Sequence, residues 1–219
     1  TGPCHDLMIK TLKDANLEPA FTDTKMIKAW AAQLINYVYW AKQIGVGDYN
    51  QAYKQAFIKT YPDSNDDKLK KGQYKNKVYG MTHFIFSASE YYQHPVDPKE
   101  YQWILDYFEK NIDRILTDTT EDIITEVGIS FLITGNGDNP VVDKVKQHVI
   151  AAYDPKIMMI PSPHGKAELS SGEHRNVLAM MLLNWPETLH KGPYLNNIAS
   201  TKKYLPKLVK PKASLNNAK

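Results

Sequence analysis

Cysteine is almost missing: one residue, Cys4, in a chain of 219. A lone thiol excludes an internal disulfide and any multi-cysteine metal site. Pro3 directly before it fits a lipoprotein processing signal poorly. Long apolar runs are missing as well. No stretch of about 18 apolar residues occurs, so no segment reads as a membrane span. No signal peptide is visible. The chain begins with Thr1; a secretory segment removed upstream would make the protein periplasmic or secreted, and otherwise it is expected in the cytoplasm. Charge of one sign is scarce, with 27 Lys and Arg against 24 Asp and Glu, a formal net charge of +3. That balance is too mild to argue for nucleic acid or an anionic membrane as partner. Much of the basic excess sits in the tail, at Lys202, Lys203, Lys207, Lys210, Lys212 and Lys219. No G-x-S-x-G, P-loop or dinucleotide fingerprint occurs. Strand patterning is confined to the short apolar run Ile157 to Ile160.

What remains is helical periodicity. Apolar residues make up 42% of the chain, enough for a globular core. From Thr24 to Gln43, Met26, Ile27, Trp30, Leu34, Tyr37, Val38 and Ala41 recur at three- and four-residue steps. Thr24 is the expected cap, and Gly45 and Gly47 end the helix. A partner near 48–60 stops before Pro62, and the polar residues 62–73 read as a loop. Tyr74 to Gln93 begins a second pair, completed near 98–116 with Pro98 at the first helical position. Asp118 with Glu121 resembles a capping box opening 119–134, whose partner spans 140–153. Ser170 with Glu173 resembles another, opening 172–184, with a last helix near 193–204. The spacing of roughly 45 residues is that of stacked helical hairpins.

First and second members of the pairs differ. Phe131 to Ile133 and Ala179 to Leu183 are apolar all round, which predicts buried helices. The second members carry charged faces, as with Lys110, Asp113 and Arg114. An inner buried layer and an outer amphipathic layer describe an all-α fold, four antiparallel helix pairs forming a partial α/α toroid. The expected organisation is an N-terminal segment over 1–23, one helical-hairpin domain over 24–205, and a basic tail over 206–219.

Aligning the inner helices brings Thr82-His83-Phe84, Thr125-Glu126-Val127 and Glu173-His174-Arg175 to corresponding places. Equivalent positions face a common axis, so His83, Glu126 and His174 are expected to meet at a central concavity. The matching residue in the first pair would be near Gln33. Two imidazoles and a carboxylate form an acid–base set. They are equally the ligand set of a three-ligand zinc site with an open position, though no compact H-E-x-x-H motif is present. Asp122, one turn before Glu126, is placed to orient a histidine or contact substrate. Arg175 and Asn176 are candidate substrate-binding residues. His164, beside Gly165 in the loop before the last inner helix, would cap the mouth.

Each polar residue also has a structural reading: a histidine or carboxylate on a buried helix commonly satisfies core hydrogen bonds. Tyr37, Tyr39 and Trp40 would line a carbohydrate cleft on one reading and pack between helices on the other. Gly135-Asn136-Gly137-Asp138 resembles a calcium loop but lacks the alternating acidic ligands and is most simply a turn.

Through Tyr79-Gly-Met-Thr-His83, Asp122-Ile-Ile-Thr-Glu-Val-Gly128 and Gly172-Glu-His-Arg-Asn176, residues 25–205 resemble a bacterial family of this length with no assigned function. More broadly, the helix pairs resemble α/α-toroid proteins such as polysaccharide lyases, glycoside hydrolases and lanthionine cyclases. That resemblance implies His, Arg and Asn as site residues, and fold-level likeness transfers no activity. Two functions follow as expectations. One is a ligand-binding or hydrolase/lyase-type site in the concave centre, acting on a saccharide or peptide-like molecule. The other is a non-catalytic interaction module. The first requires the three side chains within one ligand of each other; the second predicts an exposed apolar patch elsewhere.

Overall fold

The computed structural model describes residues 3–186 and Leu189. Among these the chain is all-α. Its helices are α1 (Pro3–Asp14), α2 (Glu18–Thr22), α3 (Thr24–Gln43), α4 (Asn50–Thr60), α5 (Lys71–Ala88), α6 (Pro98–Asp118), α7 (Glu121–Ile133), α8 (Pro140–Ala151) and α9 (Leu169–Leu183), with a 3-10 turn over Asp63–Lys68. The apolar run 157–160 forms no strand; it contributes one isolated bridge, Asp154 to Met159.

Alternate helices make a row: α3 packs on α5, α5 on α7, and α7 on α9. The helices between them pack alongside, α4 on α3, α6 on both α5 and α7, and α8 on α7. Three of the expected pairs are present as α3/α4, α5/α6 and α7/α8. The second member expected near 193–204 and the tail 206–219 lie outside the described residues.

The caps explain several boundaries. Asp23, not Thr24, caps α3 by accepting from the Met26 amide at 2.8 Å. Asp97 and Asn139 cap α6 and α8 ahead of Pro98 and Pro140, whose missing N–H groups would have had no helical acceptor. Neither expected capping box forms. Asp118 ends α6, and α7 begins at Glu121. α9 begins at Leu169, one turn before the Ser170 and Glu173 signal implied. The expected loop 62–73 is mostly helical, because the 3-10 turn is tied down by a charge network and α5 starts at Lys71.

The row is close-packed. Residues 80–87 of α5 and 123–131 of α7 are buried without a break, as expected for inner helices. A Cβ on Gly80 would stand 2.7 Å from that of Ala31 and 2.8 Å from the Phe57 ring, so glycine sets the α3–α5 separation. α9 departs from the expectation. Leu178, Ala179 and Leu182 are buried, but Val177, Met180 and Leu183 face out. It lies at the end of the row among the described residues, and Val177 and Met180 line a groove with Trp185 and Pro186.

Beneath α5 lies a second ionic network. The Lys77 side chain is fully buried and its ammonium donates to Asp63 and Asp66, each at 2.7 Å. Tyr107 donates to the other Asp66 oxygen at 2.6 Å, and Arg114 reaches the Asp66 carbonyl while stacking on Tyr74. The network anchors the 3-10 turn to α5 and α6. Lys77→Met leaves the Asp66 carboxylate buried without its cation, and is expected to cost about 3–5 kcal/mol in urea unfolding. Asp63 is mostly exposed, so Asp63→Asn is expected to cost less than about 1 kcal/mol.

Candidate functional site

Four helices of the row contribute to one polar cluster. Glu126 is the sixth residue of α7 and His174 the sixth of α9, so the early start of α9 gives them equal depth. His83 lies later in α5, which begins further back because residues 71–73 are helical. The structure brings the three expected residues together: His83 Nε2 lies 3.9 Å and His174 Nε2 3.7 Å from the same oxygen, Glu126 Oε1. These are charge contacts, too long for direct hydrogen bonds. The Glu126 side chain is 2% exposed and that of His174 61% exposed, so the cluster runs from the core to the surface.

The first helix contributes Asn36, one turn beyond the expected Gln33. Asn36 Oδ1 lies 3.0 Å from His83 Nδ1 and accepts from Ser87 Oγ at 3.0 Å. A carbonyl oxygen only accepts, so Nδ1 of His83 carries the proton, and in the neutral ring Nε2 is a lone pair. Burial pushes His83 down to about 4, with the charge of His174 adding to it. The ring is therefore neutral near pH 7. Nε2 is buried and has no hydrogen-bond partner among the described residues. Asp122 Oδ1 is in the same condition.

Burial raises Glu126 to about 7, against the opposing pull of His174 and Thr82. Contact with Glu126 raises His174. Both groups hold a proton more tightly than in water, Glu126 through burial and His174 through the neighbouring carboxyl group. Thr82 Oγ1 donates to Glu126 Oε2 at 2.7 Å and lies 2.8 Å from the Tyr79 carbonyl, and this bond favours the ionised carboxylate and limits the rise.

Three tyrosines surround the centre. Tyr79 meets His83 edge-on with ring centres 4.5 Å apart, and Tyr91 lies 6.4 Å from the same ring. Tyr91 is pushed up to about 12 by burial and by the charge of Glu126; Tyr79 and Tyr92 are raised by the same two causes in the same order. Tyr91 and Tyr92 are held by an unusual backbone. Helical periodicity predicts helix to Gln93, but α5 stops at Ala88, and Glu90, Tyr91 and Tyr92 take φ values of +52°, +53° and +70°. Consecutive left-handed non-glycine residues cost about 1 kcal/mol or more each. Ser89 holds the turn by donating to the Phe86 carbonyl and accepting from the Tyr92 amide.

The other expected site residues lie apart from this centre or are engaged locally. Asn176 accepts from the Ile160 amide and donates to the Ile160 and Gly172 carbonyls, pinning the 154–160 turn. Arg175 is buried. His164 is exposed in the loop before α9, and nothing among the described residues links it to Glu126. An open groove of about 750 Å³ between the first two hairpins, lined by Tyr39, Lys54, Ser87, Glu90 and Tyr101, meets the cluster only at Ser87. An apolar groove of about 400 Å³ continues along α9 past Tyr92, Met180 and Trp185.

The zinc expectation is overturned. No group of three or more His, Cys, Asp or Glu among the described residues is arranged to hold a metal ion. The reason is geometric: the two imidazole nitrogens stand 3.9 and 3.7 Å from Glu126 Oε1, wider than the roughly 3.4 Å between ligands about 2.0–2.1 Å from one tetrahedral zinc, and the other oxygen is held by Thr82.

A family described as a domain of unknown function, DUF3541, matches residues 1–212, and the chain belongs to that family. No curated protein and no solved structure matches it.

The raised Glu126 carboxyl has a thermodynamic signature. A buried carboxyl held above its unfolded value stabilises the fold fully below about 4.5 and loses that contribution as pH rises through about 7. Neutral His83 works in the opposite sense, stabilising above about 6.5 and losing this as pH falls through about 4. Glu126→Gln removes the first effect and keeps the second. The variant is expected to gain on the wild type by on the order of a few kcal/mol between pH 4.5 and 8 in urea unfolding. A constant difference across that range refutes a buried, protonated Glu126.

Proposed function

We propose that the helical hairpins form an arc of an α/α toroid, and that the polar cluster on its concave side performs acid–base chemistry of the hydrolase or lyase type on a saccharide or peptide-like molecule. The convergence of both imidazoles on Glu126 Oε1 carries this reading. Glu126 at about 7 is matched to proton exchange near neutrality. His174 links it to solvent, and His83, locked in one tautomer by Asn36, presents a fixed acceptor. The strained turn at residues 90–92 and the unpartnered acceptors are typical of a site whose geometry is set by use rather than by stability. Asp122 would tune the charge of the pair, since its carboxylate acts on both Glu126 and His174.

The test is turnover across a panel of oligosaccharides and peptides, with wild type and two variants that preserve shape. Glu126→Gln and His83→Asn are each expected to lower the rate by about 10²–10⁴ without loss of helical signal. Unchanged rates in both variants refute the assignment.

A second reading, a protein-interaction module, has its own observation. Met26, Trp30, Tyr37 and Trp40 of α3 and Ile44 at its C-cap are exposed, at the four- and three-residue steps of a helix-docking seam that passes Gln33 and a kink at Trp30. On this reading, Trp30→Ser combined with Trp40→Ser abolishes association in sedimentation velocity and leaves the Glu126 titration unchanged. A monomeric wild type up to about 100 µM, at the weak end of specific association, removes self-association from this reading.

A further inference from the structure

The cluster is rich in acceptors and poor in donors. His83 Nε2 is a lone pair, because Nδ1 is committed to Asn36. It is buried, aimed at Glu126 Oε1, and without a hydrogen-bond partner. Glu126 Oε1 has only charge contacts with the two imidazoles. Asp122 Oδ1, one turn earlier on α7, is buried and unpartnered as well. A buried acceptor without a hydrogen bond is costly, and two of them beside a third that has charge contacts only mark a missing partner.

The character of the missing partner follows from what these atoms lack. All three accept, so the partner donates. Asp122 is a carboxylate and Glu126 becomes one when it gives up its proton, so a cation is favoured over a neutral donor. A hydroxyl offers one hydrogen and a water two, whereas a primary ammonium offers three, diverging from one atom. Two acceptors 3.9 Å apart can be bridged by a single nitrogen about 2.9 Å from each. Tyr79, Tyr91 and Tyr92 supply aromatic surroundings, which favour a cation over an anion. The basic side chain closest in sequence, Arg175, lies one residue beyond His174 and is itself buried.

We propose that the centre of the helix row recognises the protonated primary amine of its ligand, with His83 Nε2, Glu126 Oε1 and Asp122 Oδ1 as the acceptors. This deepens the acid–base reading and rests on it for the location of the ligand. It narrows the substrate class to molecules bearing a free amino group, such as an amino sugar or the amino end of a peptide. Thr82, Asn36 and the turn at residues 90–92 act through other groups and are positioning residues.

The experiment compares each amine with its acetylated twin. The imidazole nitrogen resonances of the ¹⁵N-labelled full chain are followed during titration with D-glucosamine or glycinamide, and separately with N-acetyl-D-glucosamine or N-acetylglycinamide. Acetylation removes the charge and two of the donors while leaving the rest of the probe intact. At least one amine is expected to shift the His83 Nε2 resonance saturably, and its acetylated form to leave it unmoved at tenfold higher concentration. Asp122→Asn, nearly identical in shape, is expected to weaken amine binding by about tenfold, or about 1.4 kcal/mol. Equal responses to amine and acetylated probe, or no response to either amine, overturn the proposal on the wild type alone. An unaffected Asp122→Asn removes Asp122 from it. Saturable amine binding with no turnover of any substrate sinks the acid–base reading and leaves amine recognition standing. Turnover of neutral substrates without an amine response does the reverse.

Discussion

A carboxyl group buried in the middle of the helix row constrains everything around it. Glu126 sits among residues buried without a break from Ile123 to Phe131, with α5 on one side and α9 on the other. An isolated charge at that depth would cost several kcal/mol, so the group must be protonated, paired or hydrogen-bonded. The structure uses all three. Thr82 bonds one oxygen, two imidazoles approach the other, and burial raises the affinity for a proton. Three neighbouring helices must keep their positions for that arrangement to persist, and the arrangement in turn fixes their register.

The two buried ionic networks solve the same desolvation problem differently. Around Asp66, every strong acceptor has a donor: Lys77, Tyr107 and Arg114 surround it, and the charges cancel locally. The result is a rigid anchor for the 3-10 turn. Around Glu126, acceptors outnumber donors, and the nearest basic groups are imidazoles whose charge depends on pH. Both networks draw on α5, with Lys77 in one and Thr82 and His83 in the other. The Asp66 carboxylate finds its donors within the chain, whereas His83 Nε2 and Asp122 Oδ1 do not.

Helices were legible in the sequence because long amphipathic patterns survive any tertiary context. The boundaries of α3, α4, α6 and α8 lie close to the periodicity, with prolines and Asx caps marking starts. The convergence of His83, Glu126 and His174 was legible from their shared register. What was not legible depended on contacts between distant residues. Asn36 reaches His83 from another hairpin, and its own helix carries no sign of that contact. Nothing near Lys77 in the chain signals its burial, since only the folded chain brings Asp63 and Asp66 to it. The apparent capping box at Ser170 and Glu173 misplaced α9 by a turn, because local chemistry gave way to the packing of Leu178 and Leu182 on α7.

The turn at residues 90–92 shows why the site could not have been completed from pattern alone. Its residues, Glu-Tyr-Tyr, carry none of the glycine or asparagine that normally marks left-handed backbone. Their side chains nevertheless divide three tasks. Glu90 accepts from the Tyr39 hydroxyl in the open groove, Tyr91 stands beside His83, and Tyr92 packs on Phe86 at the mouth of the apolar groove along α9. A helix continued through this segment would turn successive side chains about 100° apart around an axis leading away from the cluster. The left-handed turn folds them back over it. Glycine would relieve the strain and remove all three contacts. The conformational cost is therefore tied to the side chains themselves, and it falls at the one place where both grooves and the buried carboxyl group come within reach of a single short stretch of chain.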